Sequence, residues 1–426
     1  MTSKGGANEC FVYIILPGET AFVTAGKFEI RSNRFGTNSG RFVYGRSYLE
    51  RDSAVAIDPL QLKLQTGTYE TRNLKGIFGA LRDASPDYWG RRVIEKHAGM
   101  SRFGEIDYLL FSPDDRAGAL GFGLNREPPA PLRKFNQTIE LETLQSLADA
   151  IIADEDPPDN ANAGQVQDLM LVGTSMGGAR PKTVIEDGDA LWIAKFNRMD
   201  DRWNEALVEH AMLLLARECG IHTPANKVVN IGQRNALLVK RFDRENIPTG
   251  YRRARMLSAL TLLHAGDDYQ DREKWSYVLL AEELRRISSQ PREDAPELFR
   301  RMCFNALISN TDDHPRNHAV IAMDTDWKLS PAYDLTPSTP ISEERRDLAL
   351  ECGDLGRYAH AGNLLSQSTR FLLERDQAQS IVDHMEQVVR KRWYAVARKA
   401  GVTEKDCEKI RSAFAYPGFR LAKAAL

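Results

Sequence analysis

The run Asn310-Thr311-Asp312-Asp313-His314-Pro315-Arg316-Asn317, followed by Ser330-Pro331-Ala332-Tyr333-Asp334-Leu335, holds the residue types and order that phosphoryl transfer requires. Asp312 and Asn317 stand in an Asp-x-x-x-x-Asn spacing, in which the carboxylate accepts the proton of an attacking hydroxyl and the amide oxygen binds magnesium. Asp334 supplies a second, anionic metal ligand. This division suits the reaction, because transfer of a phosphoryl group is driven by positioning and charge neutralisation: hard oxygens hold Mg²⁺ while one carboxylate aims the nucleophile. Asp and Asn also gather at turns for backbone reasons, so each piece alone is ambiguous, and it is the ordered pair that favours chemistry. His314 and His318 do not read as a metal pair, since Pro315 interrupts any helix that would put both on one face. His314 reads as an ordering member of the catalytic loop.

The elements that must position these groups lie around them. Ala319–Met323 and Trp327–Leu329 read as short strands joined by the polar turn Asp324-Thr325-Asp326. Such a hairpin brings Asn317 and Asp334 together. Upstream, Leu257, Leu260 and Leu263 are apolar at helical spacing, Tyr277–Leu284 continues the pattern, and Leu298 to Ser309 leads as a helix into the loop.

A second informative segment is Leu171-Val172-Gly173-Thr174-Ser175-Met176-Gly177-Gly178-Ala179-Arg180-Pro181-Lys182. Gly173 and Gly178 have the spacing of a Walker A loop, but Ala179 stands where its lysine belongs. Val184-Ile185, a turn at 186–189, and Ala190–Phe196 then predict strand, turn, strand, where a P-loop needs a helix. A glycine-rich loop between strands belongs to the kinase style of nucleotide lid, with backbone amides at Gly177 and Gly178 open to phosphate. Lys195 then takes the place of the strand lysine that neutralises phosphates and pairs with a helix glutamate. The helix after it offers Glu205 and Glu209 on one face, and Glu205 is favoured. Ala236–Phe242 reads as the strand leading to a hinge, where backbone groups of Lys240, Arg241 and Phe242 meet an adenine edge.

The rest of the chain supplies scaffolding. Phe11–Leu16, Ala21–Val23, Lys27–Ile30 and Arg41–Tyr44 predict a small antiparallel sheet. Ser85 or Asp87 is placed to cap a helix through Val93-Ile94-Glu95, and Arg91-Arg92 reads as its solvated face. A further short helix falls at Asp107–Phe111, and another rises through Leu141–Ala148 into an acidic, Pro- and Asn-rich linker at 154–164. Helices through Leu372-Leu373 and through Ile381–Val396 close the chain, the second carrying Arg390-Lys391-Arg392 on a solvated face.

At 426 residues the chain has room for two or three domains. Its 42% hydrophobic and 27% charged composition is that of ordinary soluble protein, and a net charge of −2 gives no global attraction to nucleic acid. Five scattered Cys form no C-x-x-C, so neither a disulfide framework nor a zinc site is expected. Pro17-Gly18 cuts the first apolar run too short for a signal peptide, and no stretch approaches the ~20 apolar residues that cross a bilayer. The expectation is a cytoplasmic protein with no membrane contact.

Ser175–Thr183, Val239–Asp243, Asn310–Asn317 and Pro331–Asp334 together resemble the HipA family of toxin–antitoxin serine/threonine kinases, and Pro86–Arg92 resembles that family's N-terminal subdomain. The resemblance spans nearly the whole chain. It implies an α+β, two-lobed protein-kinase-like fold: an N-terminal subdomain at 1–125, a β-rich nucleotide-binding lobe at 126–245, and a mostly helical lobe at 246–426. It implies ATP and Mg²⁺ as cofactors, Asp312 as general base, and Asn317 and Asp334 as metal ligands. Nucleotide contacts carried over by motif are Gly177, Gly178, Ala179, Arg180, Lys182, Lys195, Lys240, Arg241, Phe242, His314, Asn317, Tyr333 and Asp334. Ser175 matches the loop serine that such kinases autophosphorylate, with Thr174 a neighbouring alternative. The implied partners are a HipB-type helix-turn-helix antitoxin, operator DNA reached mainly through that antitoxin, and a protein target such as an aminoacyl-tRNA synthetase. A small-molecule kinase of the same fold and a catalytically silent corepressor are the competing readings.

Overall fold

The computed structural model describes residues 7–98, 103–130, 135–137, 140–154 and 180–420. Alternation of apolar and polar residues near the N-terminus makes the expected antiparallel sheet. Its strands β1 (Glu9–Ile15), β2 (Phe22–Ser32), β3 (Asn38–Tyr44), β4 (Thr68–Thr71) and β5 (Leu120–Gly123) lie in the order β4-β3-β2-β1-β5. The segments expected as separate strands at 21–23 and 27–30 are one strand. A register shift opposite Val12 and Tyr13 marks a bulge, which bends a strand without ending it.

A second sheet carries the nucleotide-lobe motifs. β6 (Asn136–Gln137), β7 (Lys182–Asp187), β8 (Ala190–Phe196), β9 (Asn226–Ile231) and β10 (Arg234–Lys240) run in the order β6-β7-β8-β10-β9. Gly188, at φ +65°, opens the two-residue turn between β7 and β8, a position that glycine enters without steric cost. Period-two patterning divides β10 between two cores. Ala236 and Leu238 pack with Leu141, Leu144 and Leu147 of the helix Leu141–Ala153. Leu237 and Val239 join the main core with Val208 and Met212 of the helix Glu205–Glu218.

The C-terminal half is largely helical. Helices Tyr277–Ile287, Pro291–Leu307 and Arg375–Lys399 share a core that includes Phe299, Met302, Phe304, Val382 and Met385. A small sheet of β13 (Arg255–Ser258), β14 (Ala319–Ala322) and β15 (Lys328–Leu329), preceded by the hairpin of β11 (Arg244–Ile247) and β12 (Gly250–Arg253), lies beneath the catalytic motifs. Leu257 therefore sits in a strand, not in the helix its spacing suggested. Ser258 ends that strand and its hydroxyl accepts from Thr261 N, capping the short helix Ala259–Leu262. Leu372-Leu373 is likewise not helical: Leu372, at φ +57°, closes a 3₁₀ turn before the Arg375–Lys399 helix begins.

The Arg91-Arg92 face is structural rather than solvated. Arg91 makes a two-pronged pair with Glu105 at 3.0 and 2.7 Å, and Arg92 donates to the Ile152 carbonyl at 2.9 Å. Arg390 and Arg392 do lie at the surface, paired with Glu386 and Glu218. Among the described residues no helix is long and apolar enough to cross a membrane, and all five cysteines are buried and unbridged.

Candidate active site

The helix Pro291–Leu307 ends in a reversal at Ser309, whose φ of +54° turns the chain back on itself. Asn310 is then tied to Asn305 twice, backbone N to O at 2.8 Å and Nδ2 to Oδ1 at 3.1 Å. Asp313, 1% exposed, points into the core: the Tyr277 hydroxyl donates to its Oδ2, and His318 Nε2 lies 3.0 Å from the same oxygen. Burial and the Asp313 charge hold the Tyr277 hydroxyl well above its ordinary range, so this phenol remains a donor. With Asp313 anchored inward, its neighbour Asp312 is left exposed at the surface of the loop. His314 orders the next turn. Its Nδ1 accepts from Arg316 N at 3.2 Å, capping the 3₁₀ turn Pro315–Asn317.

The β14–β15 hairpin returns the chain to Asp334, which sits in the left-handed region at φ +56°, a conformation that Asp tolerates better than most residues. Asp334 Oδ1 accepts from Lys195 Nζ, and Glu209 Oε1 lies 2.6 Å from the same ammonium. Glu209, not Glu205, is thus the helix partner of Lys195. The helix starts at an Asn204 cap, which leaves Glu205 in its first turn, 3.2 Å from Arg180, while Glu209 comes one turn later beside the strand lysine. Burial works to lower the Lys195 ammonium, but Asp334 and Glu209 override it and hold it charged. Burial likewise works to raise Asp334, and the Lys195 charge wins, keeping that carboxyl below its usual range. Glu209 is raised, because its burial exceeds what Lys195 returns.

These groups converge on one space. A cavity of about 450 Å³ is lined by Lys182, Lys195, Glu209, Asp312, His314, Asn317 and Asp334. A narrower slot continues from it between Ile193, Val239, Lys240, Phe242 and Tyr333. The Phe242 and Tyr333 rings stack at 5.6 Å, and the Tyr333 hydroxyl donates to Arg316 O at 2.8 Å. Arg241 turns its side chain away into a buried cluster with Asp115 and Asp243, and its N–H goes to Leu191 O at 2.9 Å. Lys240 N–H goes to Ala225 O at 2.8 Å. A wider cavity of about 1020 Å³ opens elsewhere around the hinge but is lined by none of Asp312, Asn317, Asp334 or Lys195; size does not mark the chemistry here.

The donor set fits a hard cation. Asn317 Nδ2 lies 3.5 Å from the Asp312 carbonyl, which leaves its Oδ1 as the oxygen for a metal, and Asp334 adds a carboxylate on the same cavity. Two oxygen ligands suit Mg²⁺, which keeps waters and substrate phosphates rather than an all-protein cage. Among the described residues no cluster of three His, Cys, Asp or Glu could form such a cage.

Gly177, Gly178, Ala179 and Ser175 lie outside the described residues. Arg180 lines the catalytic cavity and binds Asp201 in two-pronged fashion at 3.0 and 2.6 Å. Lys182 pairs with Asp87 at 2.7 Å. Asp87 is the cap its position predicts, Oδ1 accepting from Gly90 N at 2.6 Å, and the pairing with Lys182 is a second role that has no local signature. Asp313 and Tyr277 also escaped notice, because two adjacent aspartates carry no local sign of which faces inward.

Two family models match the chain: the HipA-like C-terminal domain over residues 174–393 and the HipA N-terminal domain over residues 23–123. Relatives that carry the name "Putative kinase" match as well. A Haemophilus influenzae protein is 28% identical over 143 residues, 32% of this chain and 42% of its own length, so the match spans less than half of that relative. Y4mE of Sinorhizobium fredii is 24% identical over 334 residues, 73% of this chain and 75% of its own length. A chain of the Shewanella oneidensis MR-1 toxin–antitoxin complex of HipA, HipB and operator DNA superposes with a TM-score of 0.68 at 18% identity, covering 95% of this chain and 94% of its own. The architecture is therefore the two-lobed, kinase-like α+β fold.

Proposed function

Because the chain belongs to the HipA family of kinases, we propose that it is a Mg–ATP-dependent serine/threonine protein kinase. One observation carries the reading: the Lys195 ammonium set between Glu209 and Asp334 on a cavity that Asp312 and Asn317 also line. When bound, Mg–ATP supplies the phosphoryl group and the cation's neutralising charge. Asp312 accepts the proton of the acceptor hydroxyl as its oxygen bonds to phosphorus and the bond to the ADP oxygen breaks. Lys195, held charged by its two carboxylates, neutralises phosphate oxygens, and Asn317 and Asp334 hold the metal. Phe242 and Tyr333 wall the slot where a base fits, with backbone groups of Lys240 to Phe242 along its edge.

Ser175 is the proposed autophosphorylation site. Phosphate there adds charge beside Arg180 and Lys182 and draws the loop from its nucleotide-binding shape. The proposed partners are a HipB-type antitoxin, operator DNA through it, and a protein target of the aminoacyl-tRNA synthetase kind; the likeness to a HipA bound with HipB and DNA supports the first two. The segments 1–125, 126–245 and 246–426 are its proposed units.

The test is incubation of purified protein with Mg²⁺ and ATP and mapping of phosphosites by mass spectrometry, with Asp312→Asn beside it. Phosphate on Ser175 in the wild type alone is expected. ATP binding by an initially unmodified protein without phosphate transfer to itself, its antitoxin or lysate proteins would leave the corepressor reading in its place.

A further inference from the structure

In the β7–β8 hairpin Lys182 stands directly opposite Lys195. Residues facing across an antiparallel pair lie on the same side of a sheet, and like charges so placed repel. Here the Lys182 side chain is buried at 3% exposure, and Lys195 is part-buried at 16%. The repulsion is met by carboxylates from three separate elements. Glu209 and Asp334 hold Lys195; Asp87, itself 6% exposed, holds Lys182 from 95 residues away in sequence.

Asp87 is rigidly placed. Its Oδ1 accepts from Gly90 N at the start of the helix Tyr88–Ala98, and Trp89 of that helix is packed with Leu144, Phe196 and Leu238. Trp89 Nε1 also donates to the Lys182 carbonyl at 3.2 Å. Two residues of one helix start, Asp87 and Trp89, therefore grip Lys182 at both ends, ammonium and backbone. Lys182 lines both the catalytic cavity and the slot leading to the hinge, and Asp83, Ser85 and Asp87 line the slot as well.

We infer that Asp87 is a positioning residue for phosphate recognition. It holds Lys182 beside Lys195 so that two ammonium groups face a polyphosphate, which makes the N-terminal segment part of the catalytic unit. The inference rests on the kinase reading above. Asp87→Asn isolates the effect, because Asn caps a helix as well as Asp does while removing the counter-charge.

The experiment is calorimetric titration of the full chain and of Asp87→Asn, Lys182→Met and the double variant with Mg–ATP, ADP and adenosine. Asp87→Asn should weaken Mg–ATP and ADP about tenfold, the scale of one charge-assisted contact, and leave adenosine unchanged. In the Lys182→Met background it should cost nothing further. Equal losses for ATP and adenosine, or an undiminished loss in the Lys182→Met background, would reduce Asp87 to a helix cap and overturn the inference. So would unchanged or tighter ATP binding by Asp87→Asn. Absence of ATP binding by the wild type would overturn the kinase reading together with it.

Discussion

Two clusters of buried charge lie within the same fold and behave in opposite ways. Beside the hinge, Arg241 and Arg244 are enclosed with Asp115 and Asp243, every side chain at 3% exposure or less. Donors there end on protein acceptors, including the Arg116 and Gly118 carbonyls. At the catalytic cavity Lys195 is likewise paired with two carboxylates, Glu209 and Asp334, yet the Asp334 side chain is 34% exposed and Lys195 16%. A closed cluster ties segments together, here residues 115–118 to 241–244. An open one keeps charge fixed while offering it to a ligand. What separates them is whether part of the charged set is turned toward a cavity, as Lys195 and Asp334 are.

That contrast can be broken by substitution. The largest effect belongs to the open side: Asp312→Asn should slow phosphoryl transfer by about 10²–10⁴-fold with little change in melting temperature, as read from initial rates and thermal scans on the same preparations. Arg241→Ala should do the reverse. It removes one of the two arginines that Asp115 and Asp243 share, leaving two buried carboxylates on Arg244 alone, and should destabilise by about 3–5 kcal/mol, seen as a lower urea midpoint, whereas an unchanged midpoint would refute the distinction. A finer comparison lies within one helix. Glu209→Gln should cut activity at least about tenfold by unpinning Lys195, while Glu205→Gln, which touches Arg180 instead, should cost less; equal losses would return Glu205 to the role that its position first suggested.

The smallest effect is in pH dependence. Burial works to raise Asp243, but the Arg241 and Arg244 charges override it, so its carboxyl lies below the ordinary range. A carboxyl depressed in the folded state stabilises above its unfolded value of about 3.9, and that contribution is lost as pH falls through the folded value. Asp243→Asn should therefore flatten the acid limb of the stability curve. Asp334 is shifted in the same direction, but its more exposed side chain makes the flattening from Asp334→Asn smaller.

Legibility in the sequence followed distance along the chain. Asp312, Asn317 and Asp334 were readable because a loop and a hairpin within 25 residues bring them to one cavity. Lys195 was readable because a glycine turn sets the register of β7 and β8. The choice between Glu205 and Glu209 was not, since both lie on one helix face and only tertiary contacts separate them, Arg180 beside the first and Lys195 beside the second. Leu257 and Leu372-Leu373 misled because apolar spacing over a few residues serves a strand edge or a 3₁₀ turn as well as a helix.

What the sequence by itself determined is the chemistry on offer and its local geometry: the Asp-x-x-x-x-Asn loop, the paired hairpins, the strand lysine and the alternation that buries one face of each strand. These follow from dihedral preference and side-chain period, which act over a few residues. Only the tertiary structure decided that Asp87 meets Lys182 across 95 residues and Arg241 meets Asp115 across 126. Such pairs depend on how distant segments pack, because a buried charge needs an opposite charge that only packing brings within reach.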